Sequence, residues 1–248
     1  MKSAVPREHR LLPVVITICL LGIVGLAHGQ SHPNLSNCQT SNPSPKRAYL
    51  LGYEESGRYD HDLKAAIDKA KTYLTKHSTE KGKLAMVLDI DETALSNWPQ
   101  LKADDLKFIL SGPCNLSVNG AVQAPCGWSK WVELEKATPI LPTLELYRQA
   151  RSQGLRVFFI TGRTEAQRAA TADNLRAAGY EGLTDSDLIM KPNDSHPKSL
   201  ATFKTAARKA IANAGYVIVL NVGDQYSDLS GDYAQEPIKL PNPFYHVP

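Results

Sequence analysis

The chain has 248 residues, of which 21% are charged and 42% are hydrophobic, and its formal net charge is +3. This balance excludes a strongly basic nucleic-acid binder, so we expect no nucleic-acid polymer among its partners. The length suits one domain with an insertion, and the sequence sets no oligomeric state.

The first predicted element is an apolar segment. Residues 1–10 carry three basic side chains, residues 11–26 are apolar, and residues 27–29 include small side chains for cleavage. A permanent membrane anchor is the alternative, but the run is shorter than the roughly 20 residues that a spanning helix needs. We therefore interpret residues 1–29 as a signal peptide, with export to the periplasm or the extracellular space and no permanent membrane anchor. Without this segment the net charge is +1, because it holds three basic residues and one acidic residue.

Three cysteines follow this segment. Cys114 and Cys126 flank a turn-rich stretch with little core of its own, so they are candidates for a disulfide in an oxidising compartment. Cys38 lies in a sequence rich in Pro, Ser and Asn, and we predict a flexible leader over residues 30–58. Two alternatives stay open for Cys38, a free thiol or a pairing outside the chain.

A helix is predicted from Tyr59 to about His77. Its apolar residues recur at helical spacing, and Asp60 is available near its start as a cap. Asp60 and Asp62 form an Asp-x-Asp pair, which we interpret as a solvated helix start where negative charge is favourable. We assign this pair no chemistry.

Uninterrupted apolar runs follow at residues 84–88, 157–160 and 217–220. Such runs indicate strands that are covered on both faces, as in a parallel sheet. Helices are predicted at residues 144–153, closed by Gly154, and at residues 165–178 and 199–213. The alternation predicts an α/β fold with a doubly wound, mainly parallel sheet, in which the irregular residues 97–137 form a small cap insertion after the first strand.

Polar residues end each apolar run: Asp89 and Asp91 after the first, Thr161 and Gly162 after the second, and Asp224 and Asp228 after the third. The carboxyl ends of the strands form the ligand crevice in open α/β sheets, so these groups should converge. A further Asp-x-Asp pair, Asp185 and Asp187, follows no strand, and we interpret it as a turn with a helix-like start.

Carboxylates brought together repel one another unless a cation compensates, and all-oxygen ligands suit Mg²⁺. We expect Asp89 and Asp224 to bind Mg²⁺ together with the backbone carbonyl of Asp91, while Asp228 acts through water or holds its neighbours. Such a site suits phosphoryl transfer, with Asp89 as the nucleophile and Asp91 as the acid and base. The Thr161 hydroxyl and the Gly162 N–H would hold phosphate oxygens.

Four segments are similar to the ordered motifs of a known family. "VLDIDETALSN", "VFFITGR", "TFKTAARKAI" and "NVGDQYSDLSG" resemble the four signature motifs of the haloacid dehalogenase (HAD) superfamily. The chain looks closest to its secreted acid phosphatases, a group with bacterial class C-type enzymes, plant acid phosphatases and vegetative storage proteins. The resemblance implies a HAD-like Rossmannoid domain with three α/β/α layers over residues 59–248.

The resemblance also implies a role for each matching residue. Asp89 would be the nucleophile, Asp91 the acid and base, Thr161 a phosphate ligand and Lys204 the lysine of the third motif. Asp224 would bind Mg²⁺ with Asp89 and the Asp91 carbonyl, and Asp228 would support the site.

Two details qualify this assignment. Lys198 is a rival for the third-motif lysine, but it follows Pro197 ahead of the predicted helix, and Lys204 matches the family spacing. Many bacterial members carry Asn where this chain has Gly162, so "ITGR" resembles the plant-like variant.

The predicted function is a secreted, Mg²⁺-dependent acid phosphatase that acts on small-molecule phosphomonoesters through Asp89. One alternative is a catalytically weak storage or binding protein of the same fold, although the storage relatives can lack the first aspartate, which is present here as Asp89. A glycosyltransferase that binds a metal through Asp-x-Asp is another, but it leaves Thr161 and Lys204 unexplained.

The remaining candidate residues have simpler interpretations. The three tryptophans in or beside the insertion, Trp98, Trp128 and Trp131, are expected to build its core, with stacking on a substrate as the alternative. Arg163 and Arg168 are expected to hold the helix after the second strand through salt bridges or carbonyl contacts, with a bidentate contact to phosphate as the alternative. His196 and His246 are candidates for the pocket wall, and no histidine pairing typical of zinc hydrolases is present in the sequence.

Overall fold

The computed structural model describes residues 45–116, 120–193 and 199–247. The predicted signal peptide, Cys38, His196 and Lys198 lie outside these residues. Within them, no helix combines the length and the apolar character that crossing a bilayer would require.

Helices and strands alternate along the chain from residue 141 onward. The strands are β1 (Lys83–Leu88), β2 (Leu95–Ser96), β3 (Thr138–Pro139), β4 (Arg156–Thr164), β5 (Leu188–Lys191), β6 (Tyr216–Gly223) and β7 (Ala234–Lys239). The helices are α1 (Pro45–Glu55), α2 (Arg58–His77), α3 (Trp98–Ala103), α4 (Trp128–Leu134), α5 (Leu141–Ser152), α6 (Arg168–Ala177), α7 (Leu200–Asn213) and α8 (Tyr226–Leu229).

The main sheet has the order β5-β4-β1-β6-β7, and all four neighbouring pairs are parallel. Successive side chains of a strand point to opposite faces. Met86 and Leu88 of β1 accordingly join the core cluster that contains residues of α2 and α5, while Ala85 and Val87 pack with Ile211 of α7. Both faces are therefore covered by helices, and the predicted doubly wound α/β fold is confirmed.

Helix α1 corrects the predicted leader. The prediction of a flexible segment over residues 30–58 is wrong for residues 45–55, which form this helix. Leu50 is buried in the core, and the Tyr53 ring packs edge-on against Tyr59 of α2 at 5.9 Å, so α1 has apolar contacts that hold it in place.

Helix α2 follows its prediction closely, with Leu63, Ile67 and Leu74 buried along one face. The expected cap is wrong. Gly57, at a φ of 76°, occupies the N-cap position, and Asp60 lies inside the first turn, where its negative charge still faces the helix N-terminus.

Two strands of the sheet were not predicted, β5 and β7. Asp185–Asp187 forms a short 3₁₀ helix, as expected of a turn with a helix-like start, but it leads directly into β5. Helix α5 ends as predicted, because Gly154 adopts a φ of 82° immediately after its C-cap.

The irregular block lies between the short antiparallel strands β2 and β3, which pair Leu95 with Pro139 and Ser96 with Thr138. These strands bring residues 97 and 137 together at the base of the insertion. Helices α3 and α4 belong to it, and a disulfide joins Cys114 to Cys126.

Candidate active site

The carboxyl edge of β4, β1 and β6 brings the predicted polar groups together. Asp89 directly follows β1, and its N–H donates to the Val222 carbonyl of β6 at 3.0 Å. Thr161 and Gly162 lie near the end of β4, and Asp224 directly follows β6. The parallel register thus delivers residues that are far apart in sequence to one edge, as expected for this fold.

Lys204 links two of the carboxylates. It lies in the second turn of α7, and its Nζ donates to Asp89 Oδ1 and to Asp228 Oδ1, both at 2.5 Å. Burial alone would lower the pKa of Lys204, but the charges of Asp89 and Asp228 outweigh that effect and raise it. Lys204 is therefore a fixed positive charge at the centre of the site.

Asp89, Asp224 and Asp228 form a cluster in which one carboxylate oxygen from each lies within 4.8 Å of the others. All three are buried, and three carboxylates with the single charge of Lys204 leave two negative charges uncompensated. Burial, reinforced by the neighbouring carboxylates, raises the pKa of Asp89 well above its ordinary value and that of Asp224 to about 6. This oxygen-rich donor set and its missing positive charge fit a divalent cation such as Mg²⁺.

The two aspartates after β6 differ in their hydrogen bonds. Asp228 Oδ2 accepts the Gln225 N–H at 2.8 Å, so both Asp228 oxygens are engaged. Among the described residues, Asp224 Oδ1 accepts only the Thr93 hydroxyl at 3.1 Å, while its Oδ2 accepts the side-chain amides of Gln225 and Asn242 at 2.6 and 2.7 Å. Asp224 therefore offers the less occupied oxygen.

The chain folds back so that Asp228 lies close to Gly223, the residue before Asp224. A Cβ atom at Gly223 would overlap the Asp228 side chain, so only glycine permits this approach.

The Asp91 carboxylate is turned toward Arg163. The Arg163 guanidinium is buried and donates to it through Nε, at 3.2 Å to each oxygen, and through Nη2 at 2.7 Å. Asn97 Nδ2 donates to the same carboxylate at 3.0 Å. The pairing of β4 with β5 shifts between Thr161 and Thr164, and this irregularity falls at Arg163.

Arg163 was predicted to hold the following helix, α6. It contacts this helix through one bond, from Nη1 to the Thr171 hydroxyl at 3.3 Å. Its main partner, Asp91, was not predicted. Arg168 behaves as predicted, because it pairs with Glu165 and donates to the carbonyls of Asp185 and Leu188.

A cavity of about 690 Å³ lies between this edge and the insertion. Its polar wall comes from the strand ends and from α7, and includes Asp89, Asp91, Gly162, Arg163, Lys204, Asp224 and Asp228. Its apolar wall includes Leu101, Leu106, Phe108, Trp128, Leu200 and Val247. The arrangement accommodates a small molecule with one anionic end and one apolar end.

A family model described as "HAD superfamily, subfamily IIIB (Acid phosphatase)" matches residues 27–248. The chain belongs to this acid phosphatase family. It is 32% identical to acid phosphatase 1 of Solanum lycopersicum over 218 residues, which cover 84% of this chain and 80% of that protein. It is 30% identical to vegetative storage protein 1 of Arabidopsis thaliana over 223 residues, covering 89% of this chain and 77% of the relative.

The fold is also that of solved members of the group. The class C acid phosphatase of Bacillus anthracis superposes with a TM-score of 0.63 over 81% of this chain and 86% of that chain, at 21% sequence identity. Membership of the acid phosphatase family confirms the resemblance seen in the sequence and the prediction of a phosphomonoester hydrolase. It leaves the glycosyltransferase alternative without support.

The candidate site contains a fourth buried acid, Glu92, which was assigned no role from the sequence. Glu92 adopts a φ of 54°, and its carboxylate accepts the Asn97 N–H at 2.7 Å and the Tyr245 hydroxyl. Burial, together with the charge of Asp91, raises the pKa of Glu92 to about 8. Tyr245 is 153 positions away in sequence, so no local pattern linked it to Glu92.

Thr161 and Gly162 occupy different positions in this candidate site. The Thr161 hydroxyl is buried and accepts the Arg163 N–H at 3.1 Å, which leaves its own proton available for donation. Gly162 lines the cavity, with Leu200 of α7 packed close to its Cα.

The three tryptophans separate into two groups. Trp131 is buried and donates from Nε1 to Asn97 Oδ1 at 2.8 Å, and the Trp98 ring packs on Phe244 at 5.2 Å. Trp128 lines the cavity, and the Arg163 guanidinium lies 5.8 Å from the centre of its ring. His246, another candidate, also lines the cavity.

Proposed function

We propose that this chain is a Mg²⁺-dependent acid phosphatase that hydrolyses small phosphomonoesters through an aspartyl-phosphate on Asp89. The state of the Asp89 carboxylate supports this most directly. Lys204 binds its Oδ1, and no hydrogen bond from the described residues reaches its Oδ2. One oxygen is thus oriented by a fixed cation, while the other is available to attack phosphorus.

Asp89 and Asp224 are the proposed Mg²⁺ ligands, together with the backbone carbonyl of Asp91. We assign Asp228 a supporting role, because both of its oxygens already accept hydrogen bonds from Lys204 and Gln225. When bound, the ion supplies positive charge that neutralises the phosphoryl oxygens during transfer.

We propose two displacements at phosphorus. In the first, Asp89 Oδ2 bonds to phosphorus as the bond to the leaving oxygen breaks, and Asp91 gives that oxygen a proton. In the second, Asp91 takes a proton from water, whose oxygen displaces Asp89 and releases inorganic phosphate. Lys204, the Thr161 hydroxyl and the Gly162 N–H hold the phosphoryl oxygens in both steps.

We also propose that the protein is exported. The apolar segment at residues 11–26, after a basic start, supports a signal peptide over residues 1–29. The disulfide between Cys114 and Cys126 supports the same location, because disulfides persist mainly in oxidising compartments.

A storage or binding protein of the same fold is the second candidate, and the similarity to vegetative storage protein 1 favours it. The test is an assay of phosphate release from a panel of phosphomonoesters, with chelator and with Mg²⁺ restored. We expect release only with Mg²⁺ and none from an Asp89→Asn variant. If no ester is hydrolysed with Mg²⁺ present, the storage or binding function replaces the enzymatic one.

A further inference from the structure

The side-chain amide of Gln100 is fixed in one orientation. Gln100 lies on α3 in the insertion and is only 1% exposed. Its Nε2 donates to Asp104 Oδ2 at 2.6 Å and to the Cys126 carbonyl at 3.3 Å. Both partners are acceptors, so the amide cannot turn over without losing both bonds.

Asp104 is itself held in place. Its Oδ1 accepts the Cys126 N–H at 2.5 Å, and the residue is buried. The disulfide-bonded segment therefore fixes Asp104, and Asp104 fixes Gln100.

The carbonyl oxygen of the Gln100 amide differs from its NH₂ group in its hydrogen bonding. Among the residues that the structure describes, Gln100 Oε1 is buried and accepts no hydrogen bond. Leaving a buried acceptor unpaired is unfavourable, so such an atom is expected to have a partner in the working state of the protein. Gln100 lines the cavity, which points to a partner that enters with the substrate.

The position of Gln100 identifies which part of the substrate it would meet. The phosphoryl group belongs at the strand ends beside Asp89 and Lys204, whereas Gln100 comes from the insertion together with Leu101, Leu106 and Trp128. These residues therefore face the leaving group rather than the phosphate.

We propose that Gln100 Oε1 accepts a hydrogen bond from the leaving group of the substrate. The substrate class is then a phosphomonoester whose leaving group has an apolar body and an N–H or O–H donor. This inference rests on the proposed phosphatase function, and it adds a determinant of specificity that takes no part in the chemistry at phosphorus.

An Asp104→Asn variant tests the orientation of the amide. The oxygen of the introduced amide must face the Cys126 N–H, so its NH₂ replaces the acceptor that Gln100 Nε2 now uses. Gln100 then turns over to accept from that NH₂, at the cost of its longer bond to the Cys126 carbonyl, and presents its own NH₂ to the cavity. The variant should therefore reverse the preference, from donors to acceptors on the leaving group.

The reversal is measured with three sets of aryl phosphates, each as meta and para isomers. Aminophenyl esters carry a donor, acetylphenyl esters carry only an acceptor, and methylphenyl esters carry neither. Each variant is compared with wild type on the same ester, so that leaving-group acidity cancels. For the better isomer, Asp104→Asn should lower kcat/KM for the aminophenyl ester by about 3- to 10-fold, raise it for the acetylphenyl ester, and leave the methylphenyl ester unchanged.

The neighbouring substitution Asp105→Asn is the matched control. It removes the same charge from a residue that pairs with Arg47 and does not itself line the cavity, and it should leave all three ratios near one. Gln100→Met is the second variant, in case Asp104→Asn does not fold. It removes the acceptor at similar volume and should lower only the aminophenyl value.

Binding of the corresponding benzylphosphonates, measured by calorimetry with Mg²⁺ present, separates this inference from the proposed function. Hydrolysis of all esters with equal ratios in Asp104→Asn and Gln100→Met would overturn the role of Gln100 and leave the phosphatase function standing. A second outcome is that no ester is hydrolysed but the phosphonates bind, with a donor preference that reverses in Asp104→Asn. That result would retain the role of Gln100 and overturn the proposed reaction. Neither hydrolysis nor phosphonate binding would overturn both.

Discussion

Two Asp-x-Asp pairs, Asp89 with Asp91 and Asp185 with Asp187, lie at opposite edges of the same parallel sheet. Asp89 follows the carboxyl end of β1, whereas Asp187 precedes the amino end of β5. Asp187 is saturated with donors, since Arg156 Nε binds its Oδ1 at 2.6 Å and Thr184 binds its Oδ2 through N–H and hydroxyl at 2.9 and 2.6 Å.

The pKa values of Asp187 and Asp89 are shifted in opposite directions. Burial alone would raise the pKa of Asp187, but the bonds from Thr184 and Arg156 outweigh it and lower the pKa. At Asp89, burial and three neighbouring carboxylates outweigh Lys204 and raise the pKa. The same short motif is thus a satisfied structural element at one edge and a site deficient in positive charge at the other.

The largest expected effect is that of Asp89→Asn compared with Asp187→Asn. The first variant removes the proposed nucleophile, so hydrolysis of p-nitrophenyl phosphate should fall by about 10⁴-fold or more. The second should retain kcat/KM within about 3-fold, because Asp187 lies away from the cavity. Near-normal turnover by Asp89→Asn would contradict the proposed mechanism.

The Asp91→Asn variant distinguishes the two aspartates of the catalytic pair. It leaves the attack by Asp89 possible but removes the proton donor and the base, each worth about 10² to 10⁴ in rate. Because p-nitrophenolate leaves without a proton, the variant should be phosphorylated by p-nitrophenyl phosphate and then stall, while alkyl phosphates should not react.

Mass spectrometry after a rapid quench should find the added phosphoryl group on Asp89 in this variant and never in Asp89→Asn. Equal losses on aryl and alkyl esters, with no phosphorylated protein, would assign the proton transfers to another residue.

The Asp224→Asn variant tests whether Asp224 binds the Mg²⁺ that would supply the missing positive charge. Removing one of the proposed ligands should raise the Mg²⁺ concentration for half-maximal activity by at least about 10- to 100-fold. Asp185→Asn makes the same substitution at the opposite edge and should leave the Mg²⁺ titration unchanged. An unaltered titration in Asp224→Asn would rule it out as a direct ligand.

The fold was predictable wherever apolar residues run without interruption. The central strands β1, β4 and β6 have this pattern because helices cover both faces of the sheet. The edge strands β5 and β7 did not show it. The first has only four residues, and the second, "AQEPIK", is mostly polar and contains Pro237, which an edge strand tolerates.

The site was predictable where strand ends set the position of a side chain, as for Asp89 and Asp224. The contact of Arg163 with Asp91 depends on the irregular pairing of β4 with β5 after Thr161, which no local sequence pattern predicts. Gln100 was equally hidden, because its orientation depends on the Cys126 carbonyl, 26 residues further along the chain, and on Asp104, which the Cys126 N–H holds in place.

Arg163→Lys is expected to have a moderate effect on the catalytic pair. Lysine keeps the charge but loses the forked contact that orients the Asp91 carboxylate, so kcat should fall by about 10-fold or more with little change in KM. Arg168→Lys, on the exposed pair with Glu165, is the matched control and should be neutral. A rise in KM alone would mean that Arg163 binds substrate and does not position Asp91.

The smallest expected effect is on the free energy of unfolding and concerns Asp187, which precedes the amino end of β5. The folded-state pKa of Asp187 lies below its unfolded value of about 3.9, so its carboxylate stabilises the fold above that pH and loses this contribution as the pH falls through the folded-state pKa. Arg156 is 34% exposed, which weakens the pair by solvent screening, so Asp187→Asn should lower the free energy of unfolding by about 1 kcal/mol at pH 7.

Urea unfolding of wild type and Asp187→Asn at pH 7, 4 and 3 measures this difference, which should shrink toward the lowest pH because the Asp187 carboxylate takes up a proton as the pH falls toward its folded-state pKa. The neighbouring Asp185→Asn variant has no such buried contact to lose and should stay within about 0.5 kcal/mol of wild type throughout. A loss that is the same at every pH would mean that Asp187 stabilises the start of β5 through its shape and neutral hydrogen bonds. In that case, the contrast between the two edges would not depend on charge at the structural pair.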